Sequence, residues 1–329
     1  MRHLNATRLL ACGAVLRPVE TLLTKACAGH RDEEERRWLT TVRALLAQLR
    51  SRSAEVGAAL KEFDETRAAS WRPVSSQGGV RTEWRPGDDG SLWVRMDGEL
   101  TEAELTHAVA VSYEADLWPR WAPLCSGAEV VNTLSPLERV IWVQFDLGPV
   151  LRRGAVLHWS LSDSLAERQS LLILGASLGE GCDVTLPPAA AGVALADFRA
   201  VKILISPRAR RAARIRWVAN VDLRVPSMPS SMVTTVTKKI GGAILNLLVR
   251  EAQKATREAD AENAGHAAGE WTPSENPHLR RASEHPEFYE KTGKLFERHF
   301  EFFGEGGSES EDSSSYASTS SGSGAAGSG

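Results

Sequence analysis

Between residues 213 and 223 two sets of positions alternate: Ala213, Ile215, Trp217, Ala219, Val221 and Leu223 fall in one phase, Arg214, Arg216, Val218, Asn220 and Asp222 in the other. That period of two predicts a strand with one buried face. Pro226 and Pro229 forbid the ladder from continuing, and Ser230 and Ser231 offer side-chain oxygens to the first amides of a helix. The period then changes. Met232, Val233, Val236, Ile240, Ala243, Ile244, Leu247 and Leu248 recur three and four apart, opposite Lys238, Lys239, Asn246 and Arg250, so residues 230–258 predict an amphipathic helix. At ~1.5 Å per residue it is about 40 Å long, and something extended must cover its apolar stripe. Gly241 and Gly242 lie inside it, each costing roughly 1 kcal/mol against alanine. They mark either a close helix–sheet contact or kink, or a helix that keeps space for a ligand beneath it.

Upstream, Trp38, Val42, Leu45, Leu46, Leu49, Val56, Leu60 and Phe63 mark a second amphipathic helix, which should pack on the main domain. From Trp71 turn chemistry surrounds short strands at 80–84 and 92–96. Thr101 opens a helix, with Glu102 and Glu104 placed to suit its dipole and an apolar side from Leu105 to Tyr113. Five strand-like runs follow at 129–134, 139–146, 155–161, 170–174 and 198–206, with no convincing helix between them. The fold class is therefore α+β: a largely antiparallel sheet that curves around the final helix.

Three segments are predicted: an N-terminal helical extension at 1–36, the main domain at 37–258, and a mostly disordered tail at 259–329 rich in Ala, Glu, Gly and Ser. An island interrupts the tail. Phe288, Tyr289, Phe296, Phe300 and Phe303 predict a short amphipathic helix near 286–303, which either docks back on the domain or serves a partner or membrane surface.

Composition narrows the chemistry. The 329 residues are 42% hydrophobic, enough for a proper core, and a net charge of -3 with pI near 6.3 gives no overall reason to bind nucleic acid. Cys12, Cys27, Cys125 and Cys182 are scattered, so neither a metal site nor a disulfide framework is predicted, no cofactor is implied, and a reducing, cytoplasmic setting fits. No apolar run reaches the ~18 to 20 residues of a membrane span, so membrane contact is peripheral. The basic, amphipathic stretch with Arg2, Arg8, Arg17 and Lys25 leaves organelle targeting open, although Pro18 interrupts it.

The order and spacing of several pieces resemble the START family, the lipid-binding domains named after the steroidogenic acute regulatory protein. These pieces are the leading helix with Trp71 after it, Trp118-Pro119-Arg120-Trp121 after a helix, Arg152-Arg153-Gly154-Ala155-Val156 at a strand entry, Phe198-Arg199-Ala200, and Val221-Asp222-Leu223 leading into Met228-Pro229. The likeness covers roughly 37–258. It implies a helix-grip fold, in which a curved antiparallel sheet is wrapped around a long C-terminal helix over an apolar tunnel, and one lipid held there for intracellular transfer or sensing. There are departures. Gly154 stands where the family usually has an aspartate, and Gln144 and Trp159 stand near places where several sterol-binding members carry a buried carboxylate and arginine. The ligand stays open among phospholipid, sphingolipid, sterol and fatty acid.

A lipid site needs concave apolar walls and a few placed polar groups. Trp142, Leu157, Trp159, Leu172, Leu174, Trp217, Met232, Val236, Ile240 and Ile244 are the wall candidates, with Gln144, His158 and Lys202 as polar anchors. The long connection 179–197, with Pro187-Pro188, resembles the family's gate loop. Gly175-Ala176-Ser177-Leu178-Gly179 matches a nucleophile elbow, but Gly179, Gly181 and the prolines deny the helix that must follow the serine, so no catalytic residue is assigned. In the tail, Glu301-Phe302-Phe303 before Glu305 resembles the FFAT motif by which some lipid-transfer proteins meet VAP receptors, and Arg280-Arg281-Ala282-Ser283 has the form of a basophilic kinase site. Two other readings stand beside lipid binding: a signalling or scaffold protein with a filled domain and a working tail, and a helix-grip enzyme, cyclase or hydrolase.

Overall fold

The structure is a computed structural model that describes residues 33–65, 71–147, 151–179, 184–225, 230–267 and 275–304, with the side chains of the long C-terminal helix described from residue 243. Helix α1 (Glu33–Glu65) precedes β1 (Arg72–Gln77), β2 (Val80–Pro86) and β3 (Leu92–Thr101). Helix α2 (Leu105–Tyr113) and a 3-10 turn (Ala115–Arg120) lead to β4 (Cys125–Ser135), β5 (Glu138–Asp146) and β6 (Arg152–Ser164). A single turn α3 (Leu165–Arg168), β7 (Ser170–Ser177), β8 (Asp197–Ala209) and β9 (Ala212–Asp222) complete the sheet. Helices α4 (Ser230–Ala267), α5 (Pro277–Glu284) and α6 (Pro286–Phe303) follow. The strands form one nine-stranded sheet in the order β1-β2-β3-β9-β8-β7-β6-β5-β4. Every pair is antiparallel, and the β3·β9 ladder closes the long jump in sequence.

Both faces of this sheet are covered. On the inner face Ile141, Val143, Leu157, Trp159, Ile173, Ile203 and Ile215 share one buried cluster with residues of α2, α4 and α6. On the outer face Leu172, Leu174, Leu204 and Val218 pack against Val56, Ala59, Leu60 and Phe63 of α1. A strand buried on both sides has no polar phase, and Leu171, Leu172, Ile173 and Leu174 of β7 are all buried. Gly154 also has a packing reason: a Cβ there would overlap the ring of Trp142, which takes the space of the expected aspartate side chain.

Several local expectations give way to the sheet. Thr101 does not open a helix, because β3 pairs residue by residue with β9 up to Thr101 opposite Ala212. The ladder outweighs the local cap signal. Glu104 instead spends its groups outward: its N–H donates to Thr256 Oγ1 at 2.9 Å and its carboxylate accepts from Arg211 Nε at 2.8 Å. Strand β1 is hidden in the sequence by Pro73, which is tolerated because β1 is an edge strand with a register shift between Pro73 and Ser75. A boundary at 258 cuts through α4, which runs on to Ala267.

The aromatic island belongs to the core. Phe288, Tyr289, Phe296 and Phe300 of α6 are buried in the inner-face cluster, and the Phe288 ring stacks on Tyr113 of α2 at 5.4 Å.

Candidate ligand cavity

The inner face is not packed equally along its length. At the end where β5, β8, β9 and β3 meet their connecting loops, a cavity of about 120 Å3 lies between the sheet and α4. Leu92, Val94 and Met96 of β3 and Trp217, Ala219 and Val221 of β9 form its floor, with Leu223 just beyond. Phe145, Leu157, Phe198 and Val201 wall it, Trp118, Ala122 and Pro123 close one side, and Ile244 comes from α4. The period of two in β3, β6 and β9 brings these side chains to one face. Aromatic contacts brace the wall: Phe145 lies 5.7 Å from Phe198, and Trp118 meets Trp159 edge to face at 5.1 Å.

One charged side chain, Arg153, stands among the described lining residues. It lies at the start of β6, opposite Phe145 in the ladder. Its Nε donates to the Leu223 carbonyl at 2.8 Å and its Nη1 to the Arg152 carbonyl at 2.8 Å. The sequence carried the signal for it, since Arg153 shares the phase of Ala155, Leu157 and Trp159.

The predicted wall residues divide. Leu157, Trp217 and Ile244 line the cavity, and Trp159 is buried on the same face behind Trp118. Leu172 and Leu174 are on the outer face against α1. Trp142 and Gln144 alternate with the inner-facing Ile141 and Val143 and so face outward as well, Gln144 Nε2 donating to Ser126 Oγ at 3.0 Å. His158 and Lys202 are also outward: Lys202 pairs with Glu62 of α1, and His158 sits near Arg52, Glu55 and Glu138, its pKa lowered first by burial and then by Arg52. The physical reason is the second apolar layer under α1, which makes outward positions as apolar as inward ones. Met232, Val236 and Ile240 lie outside the described side chains.

The connection after β7 is held to the sheet where it is described: Gly154 N–H donates to the Ala194 carbonyl at 3.0 Å and Ala196 N–H to the Gly154 carbonyl at 2.8 Å. Residues 180–183 of it lie outside the described residues. Ser177 ends β7, the described residues 178 and 179 directly after it are not helical, and its hydroxyl accepts from the Phe198 N–H at 2.8 Å. His158 is on the other face of the sheet, so the two make no nucleophile–base pair. Among the described residues no group of His, Cys, Asp and Glu could hold a metal ion, and no helix is long and apolar enough to cross a membrane.

At the opposite end of the same face the charges are closed. Glu114, fully buried, accepts from Arg139 Nη1 at 2.5 Å, Arg281 Nη1 at 3.2 Å and the Tyr289 hydroxyl at 2.6 Å. Arg281 also donates to Asp116 at 2.5 Å. Burial first, then the Glu114 carboxylate, pushes the Tyr289 phenol far above its ordinary range. This network ties α5 and α6 to α2 and β5. Further along, Ser283 is exposed, with its hydroxyl donating to the Arg280 carbonyl at 2.7 Å, while Phe302 at the end of α6 is 81% exposed.

A nine-stranded antiparallel sheet gripping a long C-terminal helix defines the START-like helix-grip fold, and this chain has it. Among solved structures it is similar to human StAR-related lipid transfer protein 5, with a TM-score of 0.51 and 15% identity over 64% of this chain and 99% of that one. It is similar also to human STARD10, with a TM-score of 0.50 and 16% identity over 69% of this chain and 86% of that one. At these identities the likeness is one of fold. No protein-family model matches the chain, and no curated protein matches it in sequence.

Proposed function

We propose that this protein binds one apolar ligand of lipid size between the inner face of the sheet and α4, for transfer between membranes or for sensing. The observation that carries this reading is the apolar cavity beneath α4, placed in a fold shared with a lipid transfer protein. At about 120 Å3 the cavity is below the ~300 to 1,000 Å3 of small-molecule sites, so loading requires its walls to part. That parting moves α4, which brings Ile244 to the cavity, with the connection after β7 as its gate. A ligand that buries roughly 300 Å2 of apolar surface gains about 7 kcal/mol at ~25 cal/mol per Å2, before the costs of association. That is ample for a reversible carrier.

Native mass spectrometry of the full chain after incubation with mixed phospholipid, sphingolipid, sterol and fatty-acid vesicles tests this reading. One lipid per chain is expected. A chain that returns without lipid from every mixture overturns it and favours the second reading, to which the small cavity volume points: a filled domain that serves as a scaffold.

A further inference from the structure

Arg153 is half-buried, and of its five N–H donors two reach neutral carbonyls, those of Leu223 and Arg152. Among the described residues three N–H groups are left without a protein partner, and no carboxylate pairs with the charge. Other arginines of this chain are treated differently. Arg139 meets Glu114, Arg214 meets Asp97, and Arg281 meets both Glu114 and Asp116. A charge at an apolar wall is costly unless something compensates it. A second lining residue also leaves a donor open, because Trp118 Nε1 is buried without a hydrogen-bond partner among the described residues. Arg153 thus brings spare donors to the edge of an otherwise apolar cavity, where no acceptor beyond two backbone carbonyls meets them among the described residues.

We infer that the cavity takes an anionic amphiphile, with its acid group on the Arg153 guanidinium and its hydrocarbon along Val94, Trp217 and Ile244. This rests on the ligand-binding reading above and names the chemical class of that ligand. A carboxylate and a phosphate each match the planar guanidinium with two parallel hydrogen bonds, so a free fatty acid and an anionic phospholipid share the required head chemistry. A neutral lipid leaves the guanidinium unanswered.

The test is a fluorescence titration of the full chain with cis-parinaric acid and, separately, with its methyl ester, which keeps the hydrocarbon and removes the charge. The acid is expected to bind at least tenfold more tightly than the ester. Arg153→Gln should weaken the acid to the level of the ester while leaving the ester unchanged, and Arg153→Lys should keep part of the preference. Competition against bound cis-parinaric acid by oleate and by dioleoylphosphatidate then separates the sources, the stronger competitor naming the carboxylate or the phosphate. Equal affinity of wild-type protein for acid and ester overturns the head-group assignment and leaves the binding reading standing, with no variant needed. Failure of both probes to bind overturns the two together.

Discussion

Along β5 the inner face runs from Arg139 to Phe145, about 20 Å at ~3.4 Å per residue, and an arginine stands at each end. At one end Arg139 is clamped by Glu114 in a network with Arg281, Asp116 and Tyr289. At the other, Arg153 faces Phe145 across the ladder beside an apolar cavity, with carbonyls alone as partners among the described residues. The sheet, the face and the residue type are the same. What differs is whether the protein supplies the counter-charge itself. Where it does, the network around the arginine holds α5 and α6 onto the domain; where it does not, we propose that a ligand completes the site.

Breaking the closed end should have the largest effect. Glu114→Gln leaves the buried Arg139 guanidinium uncompensated, while Arg281 keeps Asp116, and should cost about 3 to 5 kcal/mol, read as a lower urea midpoint. Next comes the outer face: Leu172→Ala should cost about 3 kcal/mol from the buried contact with α1 and leave lipid stoichiometry unchanged in the same native mass spectra. A drop in lipid loading without loss of stability would show that the outer layer, not the inner one, meets the ligand.

The α5 attachment also carries a pH signature. Burial pushes the His278 pKa down to about 4; Asp116 opposes this, while Arg120, Lys254 and His107 add to it. Its Nε2 lies 3.8 Å from Glu251 of α4. As pH falls the unfolded chain takes up this proton near 6.5, the folded chain only near 4. Stability from this group is therefore complete above pH 6.5 and declines by up to about 3 kcal/mol as pH drops to 4. In His278→Leu the acid limb of a stability-against-pH curve should lose one proton's slope.

The smallest effect is expected right beside Arg153. Arg152 is exposed and pairs with Asp146 at 2.9 Å, so Arg152→Gln should change stability by less than about 1 kcal/mol and leave the preference for acid over ester intact. A loss of that preference in Arg152→Gln equal to the loss in Arg153→Gln would reduce the comparison to general surface charge.

The fold was legible where one face alone is apolar. Residues 213–223 read as a strand because Arg214, Arg216, Asn220 and Asp222 mark the outer phase of β9 on either side of Val218, and the α4 stripe stood out against Lys238 and Lys239. Faces were illegible where α1 adds a second apolar layer. Leu171 to Leu174 give no phase, so Leu172 and Leu174 read as cavity walls though they pack against Phe63 and Leu60. In β6 the phase was readable, since His158 alternates with Leu157 and Trp159, and that same count reaches Arg153. Trp142 misled for a different reason: its size signalled an interior, and its ring fills the space over Gly154 on the outer side. The α6 island was visible from spacing, whereas its anchor on Glu114 joins residues more than a hundred positions apart and leaves no local trace.

The most direct measurement is photolabelling of the full chain with a long-chain fatty acid that carries a diazirine in its hydrocarbon, mapped residue by residue. The account predicts saturable adducts on inner-face positions around Trp217 of β9 and Ile244 of α4, removed by excess oleate. Adducts on α1 or at Leu172 and Leu174, or labelling that never saturates, would contradict it.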